Sequence, residues 1–480
     1  MVGQPEIGTP FARRWQVLGV CGLGLFMTYV DTSILNVALP TIAREFQAKV
    51  TGLQWALDAY QLVLATLLVL AGSLADRLGR RRVFRFGLLV FSLGSLLCSL
   101  APGIGSLVVF RILQAVGGCM LAPVSLSIVR QLFTDPTERA KALGWWSAIY
   151  GLGVACGPAL GGVLVAGIGW RSVFWVNVPV GLGAWVLAGL LVPESRAARP
   201  RRIDVPGQLL VMAGLAALTY AVIEGPAQGW RAAPVLGAFA VGIAAASALV
   251  VVERRRAEPL LELRFFRGPP FSAANGIAVI SFLALSGFLF INTLYLQQVR
   301  GDSALVAGLA VAPATLMMVA VAPFSGRLVA DRGPRIPLIL AGLCLAAGAA
   351  ILYGLTPSTT FSTLALAYVL LGAGFGLVNP PITSTAVTGL PAAQAGVAGA
   401  IASTARQTGN TLGVAIMGSM IANSGVGASG LTTNVDQFLA LTRAPWLLVV
   451  GCGFACSLLA AVCTGPRGQR IAARVTDSGH

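Results

Sequence analysis

Charge is scarce in this sequence, and histidine and lysine are nearly absent from it. Only 10% of the 480 residues are charged and 56% are hydrophobic, whereas about 25% are charged in an ordinary soluble domain. The single histidine is the terminal His480, and lysine occurs twice against 31 arginines. Apolar runs of about 20 residues recur along the whole chain and leave no stretch that could bury a soluble core. The composition predicts a polytopic membrane protein and argues against soluble catalytic domains.

Sequence motifs for nucleotide hydrolysis and for metal binding are also absent. No phosphate-binding P-loop occurs, which excludes an ATP motor on this chain. The eight cysteines all fall within apolar runs, and no histidine or further cysteine is spaced to complete a zinc site. An intramembrane enzyme would need a nucleophile or metal constellation, and none is found. We therefore expect a protein without cofactor or metal that is not an enzyme.

The apolar runs predict fourteen transmembrane helices. Their spans are residues 15–39, 53–75, 83–101, 104–128, 140–165, 171–192, 206–224, 234–252, 271–297, 305–327, 335–354, 361–385, 395–421 and 443–465. Of the 33 lysines and arginines, 25 fall on the side of the N-terminus, 6 on the opposite side and 2 inside spans. The positive-inside rule then predicts that both termini are cytoplasmic. The net charge of +16 reflects the orientation of the chain in the membrane rather than a nucleic-acid partner. The arginines lie between the hydrophobic spans, whereas nucleic-acid binding would need them on one folded face.

Two segments of the chain resemble each other. "GSLADRLGRRR" at 72–82 lies between spans 2 and 3, and "GRLVADRGPR" at 326–335 lies between spans 10 and 11. Their equivalent positions favour a duplication over the general tendency of cytoplasmic turns to collect glycine and arginine. Duplicated halves place a substrate site near the membrane midplane between them. The predicted division is an N-terminal six-helix half over 1–192, a linker with two additional helices over 193–270, a second six-helix half over 271–466 and a cytoplasmic tail over 467–480.

Three ionisable residues lie inside predicted spans of the first half. Counted from the outer helix ends, Asp31 lies about 13 Å deep, Asp58 about 8 Å and Arg111 about 9 Å. Intramembrane ionisable groups generally face a cavity or each other. A carboxylic acid held out of water favours its neutral form and a nearby arginine favours its ionised form, so a balanced acid can exchange protons. Each residue also has an alternative without a transport function. Asp31 could be a helix-terminal carboxylate held by local partners, Asp58 could be stabilised by the helix dipole, and Arg111 could form a structural ion pair.

Four motifs identify a family resemblance. "DTSILNVALP" in span 1, "GSLADRLGRRR" after span 2, "RILQAVGG" in span 4 and "GVACGPALGG" in span 5 resemble, in this order, signature segments of the major facilitator superfamily and of its fourteen-span drug:proton antiporters. "WRSVFWVNVPVG" and "IEGPAQGW" extend the likeness to residue 230, and the second half matches mainly by layout. The resemblance implies an all-α membrane protein with the major facilitator fold, two six-helix halves and two extra central helices. It also implies a monomer in the bacterial plasma membrane, surrounded by lipids and driven by the proton gradient.

The same resemblance assigns roles to the motif residues. It implies substrate binding or coupling for Asp31 and proton handling for Arg111, and Asp58 is a further candidate. The loop after span 2 becomes a gate made of Gly72, Asp76, Arg77, Gly79 and Arg80. From the residues alone, Gly72 and Gly79 permit a tight turn, and the loop could equally serve topology only. The antiporter motif of span 5 comprises Gly153, Gly157, Pro158, Gly161 and Gly162.

Glycine recurs every four residues in span 5, at Gly153, Gly157 and Gly161. This spacing leaves one helix face bare, so that a neighbouring helix can approach closely, and Pro158 is expected to bend the span. Ordinary small-residue packing is the alternative. Two isolated charges outside this motif, Glu224 at the end of span 7 and Arg406 in the middle of span 13, are possible site residues.

These features together predict a proton-coupled antiporter that exports lipophilic drugs or antibiotics, cationic ones above all, by alternating access. Its partners are then a small lipophilic substrate and protons, without nucleic acid. One alternative is a dedicated exporter of a single metabolite or self-made antibiotic with the same machinery. A non-transporting membrane sensor is an alternative from another class. A solute importer would share the fold, and only the span 5 motif argues against it.

Overall fold

The computed structural model describes residues 13–197, 204–256, 265–387, 392–422 and 435–463, and the regular structure within these ranges is helical throughout. The α-helices are α1 (Arg14–Phe46), α2 (Val50–Leu78), α3 (Arg80–Ser99), α4 (Ile104–Leu132), α5 (Pro136–Gly167), α6 (Ser172–Trp175), α7 (Asn177–Leu191), α8 (Val205–Gln228), α9 (Ala233–Arg255), α10 (Pro269–Leu294), α11 (Ala304–Ala310), α12 (Ala312–Arg332), α13 (Arg335–Tyr353), α14 (Phe361–Val387), α15 (Ala392–Ile421) and α16 (Val435–Cys463). The predicted tail over 467–480 lies outside the described residues.

Thirteen stretches of the described chain are long and apolar enough to cross a membrane. They correspond to all the predicted spans except 395–421. Helices suit the lipid bilayer because they satisfy their own backbone hydrogen bonds. The remaining predicted span is α15, which is also long enough to cross but carries the polar stretch "STARQTGNT". The all-α membrane fold predicted from the sequence is confirmed.

Three helix irregularities were not predicted from the sequence. Predicted span 6 begins with the single turn α6, span 9 ends in a π-helical turn at Tyr295–Val299, and span 10 is divided at Val311 into α11 and α12. The apolar pattern runs on through each of these places, so hydropathy could not reveal them. Pro313, in the first turn of α12, is the one local signal of the division.

The helices of the two halves pack in the same pattern. In the first half α1 packs against α4, α5 and α7, while α4 also packs against α2 and α3. In the second half α10 packs against α14, α15 and α16, while α14 also packs against α12 and α13. Each of these pairs has its counterpart at the equivalent predicted span, the pattern that a duplicated six-helix unit produces. The division at residues 192 and 270 stays a prediction.

Seven helices form the contact between the two halves, and the additional helices lie outside it. α1, α2 and α5 of the first half contact α10, α11, α12 and α15 of the second. α8 packs against α2 and α15, and α9 packs against α8. α8 therefore touches both halves.

Candidate functional site

A buried ion pair between α1 and α4 forms the centre of the site. Arg111 Nη1 donates to Asp31 Oδ2, and the two side chains are 1% and 0% exposed. Arg111 Nε donates to the carbonyl oxygen of Ala56 at 3.2 Å, and its guanidinium lies 4.0 Å from the centroid of the Tyr60 ring. Two charges can remain inside a membrane protein when they are paired and hydrogen-bonded in this way. The structure thus brings together two of the three ionisable residues selected from the sequence.

Amide side chains complete the surroundings of Asp31. Gln114 Nε2 donates to Asp31 Oδ1 at 2.7 Å, and Asn177 Nδ2 donates to the same oxygen at 3.0 Å. Both amides also donate to Ser95 Oγ, at 2.6 Å from Gln114 and 3.1 Å from Asn177. Gln114 Oε1 in turn accepts from Arg111 Nη1 at 2.7 Å. Asp31 on α1 thus accepts hydrogen bonds from α4 and α7, and Ser95 adds α3 to the network, so four helices meet around one carboxylate.

Asp58 lies apart from this network. It is fully buried on α2, and neither of its carboxylate oxygens has a hydrogen-bond partner among the described residues. Of the three ionisable residues that the sequence places inside spans of the first half, only Asp31 and Arg111 contact each other. Burying a carboxylate without partners is costly, and that cost favours the protonated form. Its environment suits a group that carries a proton rather than a negative charge.

Replacing Asp58 tests this interpretation without disturbing a neighbour. In Asp58→Asn we expect a wild-type amount of protein in the membrane, because no hydrogen bond is lost. We expect gradient-driven transport to fall about 100-fold, as when a proton-transfer group is removed. Ser73→Ala is a matched control on the same helix, since the Ser73 hydroxyl donates only to Val69 O within α2. Transport at the wild-type rate in Asp58→Asn would show that Asp58 carries no proton.

A cavity lies between the halves beside this network. The cavity is partly open, and the space between its lining atoms amounts to about 540 Å³ when the adjoining open solvent is included. Its lining is mostly polar but uncharged on the first half and mixed on the second: Tyr29, Thr32, Ser33, Asn36, Leu57, Gln61, Val154, Phe282, Leu285, Ser286, Leu289, Gln407, Asn410 and Val414. Asp31, Asp58 and Arg111 do not line it, so of the two expected arrangements, facing a cavity or facing each other, Asp31 and Arg111 adopt the second. Thr32 and Leu57, the sequence neighbours of Asp31 and Asp58, line the cavity instead.

The glycines of α5 allow the close packing that their spacing predicts. A Cβ added at Gly153 would lie 3.1 Å from the carbonyl oxygen of Phe26, and one at Gly157 would overlap Ser33 Oγ. A Cβ at Gly161 would lie 2.9 Å from the carbonyl oxygen of Ile34. These contacts bring α1 against the bare face of α5.

Gly162 and Pro158 of α5 face the second half of the protein. A Cβ added at Gly162 would lie 2.8 Å from the carbonyl oxygen of Ala304 at the start of α11. One turn further along α11, a Cβ at Gly308 would overlap the carbonyl oxygen of Pro158. α5 is one continuous helix through Pro158. The antiporter motif thus forms a backbone-to-backbone contact between the halves.

Hydrogen bonds between the halves accompany this contact. Gln54 Nε2 at the start of α2 donates to the carbonyl oxygens of Val414 and Ala415 at 3.2 and 2.9 Å. Gln297 Nε2 donates to the carbonyl oxygen of Val37 at 2.9 Å. By the predicted topology these groups and the α5–α11 contact all lie in the outer half of the membrane. On that topology they join the two halves on the outer side of the membrane.

The loop after α2 makes hydrogen bonds within the first half. Asp76 accepts from Arg80 at 2.9 Å, and Arg80 Nη1 donates to Gln131 Oε1 at 2.5 Å. The backbone N–H of Arg80 donates to the carbonyl oxygen of Ser195 at 2.9 Å. Gly79 has a φ of 115°, a conformation that favours glycine, and forms the turn. These contacts attach the loop to the end of the first half.

The expectation that Gly72 contributes to the tight turn was wrong. It lies inside α2, which continues to Leu78, and a Cβ there would make only an ordinary 3.9 Å contact with Pro123. Gly72 therefore does not take part in the turn. Arg77 lies in the last turn of α2, next to the turn itself.

The two remaining candidates occupy different surroundings. Glu224 lies one turn before the end of α8 and accepts from Trp55 Nε1 at 3.0 Å and from Gln228 Nε2 at 3.1 Å. Arg406 lies near the middle of α15, and its Nη2 donates to Ser403 Oγ at 2.8 Å. Its Nη1 is buried without a partner among the described residues. Glu224 thus joins α8 to α2, while Arg406 lies directly before the cavity residue Gln407.

Sequence reasoning missed three residues of the central network: Ser95, Gln114 and Asn177. Gln114 and Asn177 lie inside the quoted motifs "RILQAVGG" and "WRSVFWVNVPVG", so the segments were recognised but not the side chains. Spacing could have indicated Gln114, because it follows Arg111 by three residues and shares its helix face. Nothing in the sequence indicates that Ser95 lies beside them.

The chemical groups of this site are carboxylates, a guanidinium, amides and hydroxyls. All eight cysteines are free thiols. Within the described ranges no group of three histidine, cysteine, aspartate or glutamate side chains could hold a metal ion.

Comparison with known protein families gives one assignment across most of the chain. The profile of the Major Facilitator Superfamily matches residues 21–414. The multidrug resistance protein Stp of Mycobacterium tuberculosis is 39% identical over 401 residues, which cover 84% of this chain and 74% of the relative. The tetracenomycin C resistance and export protein of Streptomyces glaucescens is 36% identical and covers 86% and 76%. The puromycin resistance protein pur8 of Streptomyces alboniger is also 36% identical, covering 85% and 82%.

Solved structures share the fold at low sequence identity. A bacterial homologue of the human lysosomal transporter Spinster, in an inward-facing and unoccupied conformation, matches with a TM-score of 0.62 at 18% identity and covers 98% of both chains. The human organic anion transporter MFSD10 matches with a TM-score of 0.61 at 17% identity, over 93% of this chain and 100% of the other. At this identity the likeness concerns the fold alone.

Proposed function

This chain belongs to the major facilitator superfamily, and we propose that it is a proton-coupled antiporter that exports lipophilic drugs or antibiotics by alternating access. It is a transporter and not an enzyme. The observation that carries the proposal is the buried Asp31–Arg111 pair directly behind the wall of the cavity between the halves. The names of the relatives, which concern multidrug resistance and antibiotic export, support the drug as substrate class.

Coupling follows from the position of Asp31 on α1. Protonation removes the charge that Arg111 neutralises, so the buried guanidinium must rearrange or lose its counter-ion. The next residues of the helix, Thr32 and Ser33, line the cavity and follow such a rearrangement. By linkage, a proton that disfavours the drug-binding arrangement lowers drug affinity, and the drug lowers proton affinity equally. Proton entry from outside and drug release to the outside are then one exchange, with the proton gradient as the energy source and no cofactor.

A dedicated exporter of one antibiotic is the second candidate. It is supported by relatives named after single compounds, such as tetracenomycin C and puromycin, beside relatives named after multidrug resistance. The cavity lining is uncharged and combines polar with apolar side chains, which is compatible with a narrow or a broad range of substrates. A sensor that binds drugs without transport would retain the cavity but show no dependence on a proton gradient.

The proposal includes the setting of the protein. We place it in the bacterial plasma membrane with both termini in the cytoplasm, because 25 of the 33 basic residues fall on the side of the N-terminus. It is a multi-pass membrane protein. Leucines such as Leu190 and Leu316 point outward, 74% and 70% exposed, and contact lipid. One chain supplies both walls of the cavity, so a monomer suffices.

Ethidium transport into everted vesicles tests the function. With an acid interior we expect ethidium to accumulate, because each proton that leaves the lumen drives drug into it. Collapse of the pH gradient by nigericin is expected to abolish accumulation, and vesicles without the protein give the baseline. Accumulation that persists without the gradient would contradict proton coupling. Transport of puromycin or tetracenomycin C without any transport of ethidium would favour the dedicated exporter.

A further inference from the structure

We propose that Asn177 is a positioning residue that holds the Asp31 carboxylate ionised against Arg111 and thereby connects α7 to the protonation of Asp31. The functional meaning of this inference rests on the proposed antiport, but the hydrogen bond itself can be tested without transport.

Asn177 is well placed for this role. It is the first residue of α7 and is 2% exposed. Its Nδ2 donates to Asp31 Oδ1 at 3.0 Å and to Ser95 Oγ at 3.1 Å. A single amide therefore contacts α1 and α3 from the start of a third helix. It is held from two sides, so its donor group is aimed at the carboxylate.

The hydrogen bond depends on the charge of Asp31. Amide donors bind a carboxylate more strongly than a neutral acid, because the bond is charge-assisted. Asn177 and Gln114 both donate to Oδ1, while Arg111 donates to Oδ2. When Asp31 takes up a proton, the contact between α1 and the start of α7 weakens. The position of the start of α7 therefore depends on whether Asp31 is protonated, and Asn177 provides this dependence through its hydrogen bond.

Other titratable groups near Asp31 do not replace this contact. Arg111 on α4, Tyr60 on α2 and Cys98 on α3 interact with it electrostatically. The carboxyl of Asp58 on α2 makes no hydrogen bond to Asp31. The helices α6, α7, α10 and α11, which also pack against α1, carry no titratable side chain, and α5 has its charged residues in its first two turns. Asn177 is thus an uncharged donor whose removal changes the Asp31 environment without adding or removing a charge.

The test is an infrared titration of the purified protein. The carbonyl band that disappears in Asp31→Asn identifies the protonated Asp31, and its intensity against pH gives a midpoint. Asn177→Leu removes a donor to the ionised form, so deprotonation requires a higher pH. We expect the midpoint to rise by about one pH unit, the effect of one hydrogen bond to a charged group. Asn177→Ser keeps a shorter donor and is expected to give an intermediate midpoint.

A matched control separates positioning from packing. Ser92 lies on α3 beside Gly181 of α7, and its hydroxyl has no hydrogen-bond partner among the described residues. Ser92→Ala therefore changes the α3–α7 contact without touching Asp31, and the wild-type midpoint is expected. A wild-type midpoint in Asn177→Leu would overturn the inference even if transport were impaired. Conversely, if the midpoint shifts in Asn177→Leu but the wild-type protein transports no drug, the inference is supported and the proposed function is contradicted.

Discussion

Asp31→Asn is expected to abolish gradient-driven efflux and also to lower the amount of protein in the membrane. The first effect follows because asparagine cannot take up a proton at this position. The second follows because Arg111, 1% exposed, is left as a buried charge without counter-ion, at a cost of about 3–5 kcal/mol. A single variant cannot separate these two effects, since lost protein and lost coupling both reduce efflux.

The double variant Asp31→Asn with Arg111→Gln separates them. It removes both charges, so the amount of protein is expected to return toward the wild-type level while efflux per molecule stays at the baseline. If the pair served stability only, efflux would return together with the protein. The exposed pair Glu45–Arg171 provides a matched control, with side chains 40% and 36% exposed. Glu45→Gln is expected to change stability by less than about 1 kcal/mol and to leave efflux unchanged.

Gly308→Val is expected to prevent closure of the outer side. Any Cβ at this position overlaps the carbonyl oxygen of Pro158, and backbone cannot yield as a side chain does. A penalty of about 3 kcal/mol on the closed arrangement would depopulate it roughly 100-fold. Transport should fall by a similar factor, because every cycle passes through the closed arrangement. Gly167→Val at the end of α5, where a Cβ meets nothing within 4 Å, is the control and should transport normally.

Thiol labelling distinguishes this closure defect from misfolding. A cysteine introduced at Ser286 lines the cavity and can be labelled from outside by an impermeant maleimide only when the outer side is open. Labelling of Ser286→Cys should rise strongly when Gly308→Val is added, relative to the same proteins without the introduced cysteine. Reduced labelling in the combined variant would contradict the assignment of α5 and α11 to the outer closure.

The fold was largely predictable because each membrane-spanning helix needs about 20 apolar residues. The same rule found Asp31 and Arg111, since an ionised side chain in such a run is conspicuous. It could not find Asn177 or Ser95, because uncharged polar residues are common in membrane helices. It could not show which way the ionisable side chains face: Asp31 and Asp58 are each buried one residue away from the cavity residues Thr32 and Leu57, and Arg111 pairs with Asp31. The rotation of a helix about its axis depends on packing against several neighbours, and no single span contains that information.

The contacts of α8 have a consequence for how the halves move. Gln208 Nε2 donates to the carbonyl oxygen of Thr66, and Trp55 donates to Glu224 near the other end of the helix. Both hydrogen bonds join α8 to α2, so α8 travels with the first half as one body. Yet α8 also packs against α15 of the second half. When the halves rock, α8 must slide against α15. A transporter with only twelve helices lacks this additional moving contact.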